Sequence, residues 1–222
     1  MKCLAVNTAN TVLSVALCDG ADVLYFFETP ETRDQGNLLL EHAKRAIETV
    51  GIGYEGLDLM AVVTGPGSFT GIRIGLAGMR GLAMAADKPL IGLSSFDLFA
   101  APAVGAINVV AVEAWREELY FQTDGAPPVN QSPAVFAERF KEQQGPIVIS
   151  GDAAHKLAPF LPAAKVITPP ADARQMAQKA IEIYARDGQA VAAQRPAPFY
   201  LRPADVTLSA AQNRSIEGQD KP

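Results

Sequence analysis

Residues 62–86 read VVTGPGSFTGIRIGLAGMRGLAMAA, and the reading of this stretch decides the rest of the chain. Met60–Val63 is apolar and is expected to be a buried strand. Thr64-Gly65-Pro66-Gly67 breaks it. Gly65 and Gly67 allow backbone angles that other residues resist, and Pro66 fixes φ between them. Ser68 or Thr70 then caps a helix predicted to run to about Ala86. That helix carries Gly71, Gly75, Gly78 and Gly81 in its interior. Each costs about 0.8–1 kcal/mol relative to alanine, so the four cost about 3–4 kcal/mol. Gly71, Gly75 and Gly78 fall four and three residues apart and so share one face. A bare face lets another backbone come close. That backbone belongs either to the protein's own sheet or to a second chain.

The 222 residues are 49% hydrophobic and 19% charged, with a net charge of −5. That suits one large globular domain or two small ones. The negative balance argues against a protein that grips nucleic acid unaided. No apolar run reaches membrane-spanning length. MKCLAVNTANTV meets Asn-Thr after a few apolar residues, so no signal peptide is expected. A cytoplasmic location is expected, with Cys3 and Cys18 as buried free thiols in strand-like runs.

The chain opens as a meander: Lys2–Asn7, Val12–Asp19, an Asp19-Gly20 turn, and Val23–Thr29. Asn37 is positioned to cap a helix over Leu38–Val50, striped by Leu39, Ala43, Ala46, Ile47 and Val50. After the glycine helix come a strand at Pro89–Leu93 and a short helix capped at Ser94-Ser95. The pattern then restarts with strands at Asn108–Glu113 and Glu118–Thr123, an Asp124-Gly125 turn, and a weak strand near Val129. A helix over Pro133–Gln143 follows, then a strand at Pro146–Ser150 and a short helix at Ala154–Phe160. Val166–Thr168 is a strand, and Asp172 introduces a last helix to Asp187. Asn7 and Glu113 lie 106 positions apart, and the two Asp-Gly turns 105 apart. Two copies of βββαβα therefore predict a pair of α/β lobes, 1–103 and 104–203, facing a cleft. One three-layer domain is the alternative. Residues 204–222 are polar and aperiodic and are expected to be disordered.

Catalytic constellations are scarce. His42 and His155 are isolated and have no zinc-type spacing. Gly-Pro-Gly-Ser-Phe is neither a nucleophile elbow nor a Walker loop. Gly65, Gly67, Ser68 and Arg73 offer at most a weak anion or nucleotide contact at a helix N-terminus. The alternative is that the turn simply reverses the chain.

The run Thr64–Gly75 resembles the signature of the bacterial TsaB (YeaZ) family. LAVNTANTVLSVAL resembles that family's first hairpin, AVEAWREELYF its second-lobe hairpin, and Phe199-Tyr200-Leu201-Arg202 its C-terminal Tyr-Leu-Arg. The resemblance implies a ribonuclease H-like fold of the actin/Hsp70 ATPase type. It further implies a non-catalytic subunit that pairs with TsaD and is joined by the ATPase TsaE. That assembly makes N6-threonylcarbamoyladenosine beside the anticodon of tRNAs reading codons that begin with adenine. It implies no catalytic or metal residue here, ATP or ADP only at the complex interface, tRNA contact through the complex, and a homodimer when the chain is alone. In such folds the first strand of each lobe usually ends in an acid. Asn7 stands there in the first lobe and Glu113 in the second, where the family more often has Asp-Ala-Arg in place of Glu113-Ala114-Trp115-Arg116. The stretch Asp34–Asn37 also lacks the family's usual His-Ser. The expected partner interface is the glycine helix with its neighbour: Leu39, Ala43, Ile47, Gly71, Ile72, Gly75, Gly78, Met79 and Leu82. A free-standing actin-like ATPase or kinase, and a peptidase, are the alternative functions.

Overall fold

A computed structural model describes residues 1–10, 12–30, 33–114 and 116–201. Trp115, Arg202 and the expected tail 204–222 lie outside the described residues. The first half forms β1 (Lys2–Asn7), β2 (Leu13–Asp19), β3 (Asp22–Thr29), α1 (Gln35–Val50), β4 (Leu59–Gly65), α2 (Phe69–Ala86), β5 (Leu90–Ser94) and α3 (Ser95–Phe99). The second forms β6 (Ile107–Val112), β7 (Leu119–Thr123), β8 (Val129–Gln131), α4 (Pro133–Ala137), β9 (Ile147–Ser150), α5 (Ala154–Leu157), β10 (Lys165–Ile167) and α6 (Ala173–Asp187). The strand orders are β3-β2-β1-β4-β5 and β8-β7-β6-β9-β10. Each is an antiparallel meander extended by two parallel strands. The repeat expected from sequence is thus a repeat of topology.

Two helices depart from their expected bounds. α1 begins at Gln35, behind Asp34 in a left-handed conformation (φ 61°). Asn37 sits inside the first turn, where its amide donates to the Asp34 carboxylate at 2.6 Å instead of capping. α4 stops at Ala137 and tightens into a 3-10 turn over Glu138–Phe140. The polar residues from Lys141 to Gln144 are exposed and offer nothing to hold further turns against the lobe.

The expected lobe boundary needs correction. β1 and β4 are buried along both faces, so the first sheet needs two covers. α1 and α2 supply one. The other is α6, from the far end of the chain: Ala173, Met176, Ala177 and Ala180 are fully buried in the first-lobe core. α3 makes the opposite crossing. Its Phe96 and Phe99 pack with Val110, Val112 and Tyr120 of the second sheet. The helix after the fifth strand of each half therefore leans on the other half. On its far face the second sheet is closed by α4 and α5, with Phe121 stacked on Phe136 at 4.0 Å.

The glycine face of α2 turns inward. A Cβ at Gly71 would collide with the Thr8 carbonyl oxygen, and one at Gly75 with the Thr8 hydroxyl. Thr8 Oγ1 donates to the Gly71 carbonyl at 2.7 Å. A Cβ at Gly78 would sit 3.1 Å from Leu39 of α1. Around Gly81 there is open space.

Gly71→Ala is therefore expected to destabilise the chain by about 2–4 kcal/mol, because a backbone carbonyl must move. Gly81→Ala is expected to stabilise it by about 0.5–1 kcal/mol through helix propensity alone. Urea unfolding of the two variants beside the parent chain measures both.

Candidate docking face and interlobe cleft

The expected interface residues divide once α2 is seated. Leu39, Ala43, Ile47, Gly71, Ile72, Gly75 and Met79 are buried inside the lobe. They fix α1 and α2 to the sheet and to each other, so the expectation that they form an open surface is corrected. Gly78 and Leu82 are half-buried. What the α1–α2 layer shows outward is Leu40, at 48% exposure, and Met84, at 84%, with the exposed small residues Ala77, Gly81 and Ala85. These residues are apolar, and the exposed Arg73 and Arg80 border them on the stripe of α2 that carries Ala77 and Met84. The acidic and basic pairs Glu41–Arg45 and Lys44–Glu48 flank this face on α1.

The loop before α2 has internal partners at each expected anion contact. Gly65 has φ 108° and lies beneath the Phe199 carbonyl, which a Cβ would approach to 2.8 Å. A Cβ at Gly67 would collide with the Ala9 carbonyl. The Ser68 N–H donates to that same carbonyl at 2.7 Å, and Ser68 Oγ accepts from the Gly71 N–H at 3.2 Å. Arg73 lies 3.7 Å over the Phe69 ring, and its Nε donates to the Tyr200 hydroxyl at 3.2 Å. The four residues serve four different neighbours. They aim α2 and do not assemble into a phosphate cradle, so the nucleotide-contact expectation is not met by their geometry.

Those contacts reveal a feature that sequence reading noted only as a motif. Residues 196–201 run as a strap across the ends of β4 and β5. The Phe199 N–H donates to the Thr64 carbonyl at 2.8 Å. Arg80 of α2 donates to the Pro196 carbonyl. Gly92 makes room for Pro196, 2.8 Å from where a Cβ would stand. Phe199 and Leu201 pack into the apolar cluster that joins the lobes.

Between the lobes lies a polar cavity of about 380 Å³, lined by Asn7, Asn10, Ser14, Glu28, Asp152, Thr168, Asp172 and Arg174 among others. Asn7 has no free arm. Its Nδ2 donates to Asn10 at 2.8 Å and to the Ala171 carbonyl at 3.0 Å, and its Oδ1 accepts from the Ala9 N–H at 3.1 Å. It ties the end of β1 to the start of α6. Glu113, at the matching end of β6, is buried and paired with Lys156 at 2.5 Å. Its other oxygen accepts from the Ala114 N–H at 3.1 Å. Asp152 Oδ1 accepts from the Glu113 N–H at 2.9 Å. Burial pushes the Asp152 carboxyl up to about 6, and the Glu113 charge adds to this. The Glu113 N–H and the Asn10 amide hold it back in part. Arg174 clasps Asp172 at 2.6 Å and covers the Phe26 ring at 4.0 Å.

Asp152, Lys156, Asn10 and Arg174 were not singled out in the sequence. A comparison of the halves offers one signal. Gly151-Asp152 follows β9 where Gly65-Pro66-Gly67 follows β4, and a Cβ at Gly151 would strike the Ala111 carbonyl much as one at Gly67 strikes Ala9. His42 is packed between Tyr25, whose hydroxyl lies 2.6 Å from Nδ1, and Phe27, stacked at 3.3 Å; burial lowers its pKa. Cys3 and Cys18 face each other across β1 and β2, free and buried. Among the described residues, no group of three or more His, Cys, Asp or Glu side chains is placed to hold a metal ion. Nor is any described helix long and apolar enough to cross a membrane.

Twin sheets of identical order and exchanged helices give a two-lobed α/β fold of the ribonuclease H-like, actin/Hsp70 kind. Residues 32–133 match the family model for TsaD, tRNA N6-adenosine threonylcarbamoyltransferase. The tRNA threonylcarbamoyladenosine biosynthesis protein TsaB of Escherichia coli is 30% identical, over 91% of this chain and 95% of that one. TsaB of Haemophilus influenzae is 34% identical over 53% of this chain and 51% of its own. The solved structure of YeaZ from Pseudomonas aeruginosa superposes with a TM-score of 0.70 at 21% identity, covering 90% of this chain and 99% of that one. The chain belongs to the TsaB (YeaZ) family.

The raised Asp152 pKa has a definite sign. The folded value, about 6, lies above the unfolded one of about 3.9, so this group favours folding below about pH 4 and loses that contribution as pH rises through 6. Asp152→Asn removes the titration. The stability of the parent relative to this variant is expected to fall by about 1–3 kcal/mol between pH 4.5 and pH 8, as read by urea unfolding at both values.

Proposed function

We propose that this chain is a non-catalytic subunit of the assembly that forms N6-threonylcarbamoyladenosine in tRNA. It works bound to a TsaD transferase, with the ATPase TsaE joining the pair. The observation that carries the non-catalytic reading is the state of the two strand-end positions. Asn7 is an amide with both arms engaged, and Glu113 is neutralised by Lys156. An amide neither takes a proton nor balances a cation, and a carboxylate already paired with an ammonium has little left for a metal-bound nucleotide. Kinship with TsaB supports the pathway. The free, buried thiols suit the reducing cytoplasm, where the chain is proposed to work.

Docking falls to the outer α1–α2 face. Leu40, Ala77, Gly81 and Met84 present a flat apolar patch that a helical pair from the partner can cover. The same face serves a second copy of the chain when the partner is absent. The buried glycines support this face from behind.

Size-exclusion chromatography of this chain mixed with its TsaD counterpart tests the reading, and no heterodimer at micromolar concentration would overturn it. Met84→Glu is expected to weaken the heterodimer by at least about tenfold, because it buries an unpaired charge. Thermal stability should stay within about 0.5 kcal/mol, since Met84 is exposed in the monomer. ATP turnover by the purified chain alone would instead favour a free-standing kinase or ATPase.

A further inference from the structure

The chain is acidic overall, yet residues 59–86 and 188–201 contain no Asp or Glu. The structure brings these two segments together as α2 and the strap. Three arginines stand out along this seam: Arg73, Arg80 and Arg195, all exposed. Arg73 and Arg80 are seven residues apart on one side of α2, about 10 Å along its axis. Arg195 precedes Pro196, whose carbonyl Arg80 holds. Two aromatic rings lie among them. Phe69 and Tyr200 are each 38% exposed and 5.1 Å apart.

The two α2 guanidinium groups are already in place. Arg73 is fixed by one nitrogen on Tyr200 and by its face on Phe69, and Arg80 by one nitrogen on the strap. A fixed guanidinium loses little freedom when its remaining N–H groups meet a phosphate. Half-exposed rings beside held cations are the recurring design for single-stranded nucleic acid, where bases stack and the backbone follows the charge. Arg73, Ala77, Arg80 and Met84 follow at i, i+4, i+7 and i+11 along one stripe of α2, so the basic seam borders the apolar patch of Gly81 and Met84 and continues it toward the strap.

We propose that the α2–strap seam, with Arg73, Arg80, Arg195 and Tyr200 at its centre, is a contact surface for an unpaired segment of RNA. The proposal rests on placing the chain in a tRNA-modifying assembly and names where this subunit touches the substrate. Three phosphate contacts correspond to a log–log salt slope of about −2 for a single strand. Affinity is therefore modest for the chain alone and steeply dependent on salt.

The test is fluorescence anisotropy of the full chain with a labelled RNA hairpin that has an unpaired loop, at several salt concentrations. Expected are binding at low salt, a slope near −2, and a loss of at least about tenfold with a flattened slope for R73A/R80A/R195A. Tyr200→Ala should cost about tenfold with the slope unchanged. The charge-keeping R73K/R80K/R195K should keep the salt slope near −2 while losing less affinity than the triple-alanine variant, because the charge stays but the held guanidinium geometry is lost. Arg195→Glu alone leaves both α2 clamps intact, so a loss there is separate from any fault in the strap. Equal binding by the parent and the triple-alanine variant, or no binding by the parent at low salt, overturns the proposal. Heterodimer formation with the TsaD counterpart is measured on the same preparations. If the triple variant loses the heterodimer while keeping RNA affinity, the seam is a protein interface and the RNA proposal fails while the subunit assignment stands. If the parent chain forms no heterodimer, the subunit assignment fails, and the anisotropy result still decides the RNA contact.

Discussion

The close approach of α2 to Thr8 governs the layout of this molecule. A helix normally stands about 10 Å from a sheet because side chains keep it there. Here Gly71 and Gly75 have none to intrude, and the Thr8 hydroxyl donates directly to the Gly71 carbonyl. With α2 set so close to the end of β1, the Gly65–Ser68 loop can rest on Ala9. The side of α2 that carries Arg73 and Arg80 then reaches the C-terminal strap. The helix-propensity cost of the glycines is offset by a set of contacts that no alanine helix could make.

The cleft is the counterpart of that seam. In a two-lobed fold with a nucleotide site, polar groups at the strand ends wait for a ligand. Here they hold one another: Asn7 to Asn10 and Ala171, Asp152 to the Glu113 N–H, Glu113 to Lys156, and Arg174 to Asp172. Buried polar groups need partners, and this chain supplies most of them from within, leaving Asn10 Nδ2 and Asp152 Oδ2 as the unpartnered buried atoms at the cleft among the described residues. Polar links and exchanged helices join the lobes at two levels: amide and carboxylate contacts in the cleft, and Phe96, Phe99 and Phe199 beneath it.

Much of the architecture was legible because it is written locally. The short apolar runs LAVN and VAVE, the Asp-Gly turns, and Ser68 or Ser94 ahead of a helix each signal within a few residues, and the strands and most helix ends fell where those signals put them. The direction of the glycine face was not legible. Spacing says that Gly71 and Gly75 share a face, but only the distant Thr8 says which way it looks. The same limit hid α6, whose stripe of Ala173, Met176, Ala177 and Ala180 names no sheet, and the strap, which has no periodicity. It also hid Lys156, which became meaningful only beside Glu113, 43 positions earlier. Long-range pairing is where a single sequence carries least.

The exchange of α3 and α6 bears on how the chain is made. Synthesis delivers β1 through β5 early, with α1 and α2 ready to cover one side. The other side of β1 and β4 stays bare until Ala180, near the end of the chain, has left the ribosome. Through nearly a hundred further residues of elongation, the half-covered first sheet must be shielded from other chains. Closure at the end then depends on contacts of very long sequence separation, among them Asn7 with Ala171 and Ser14 with Ala173. Such contacts form slowly because the intervening chain must first be ordered. The first sheet therefore gains its second cover only when α6, made long after it, docks beside β1.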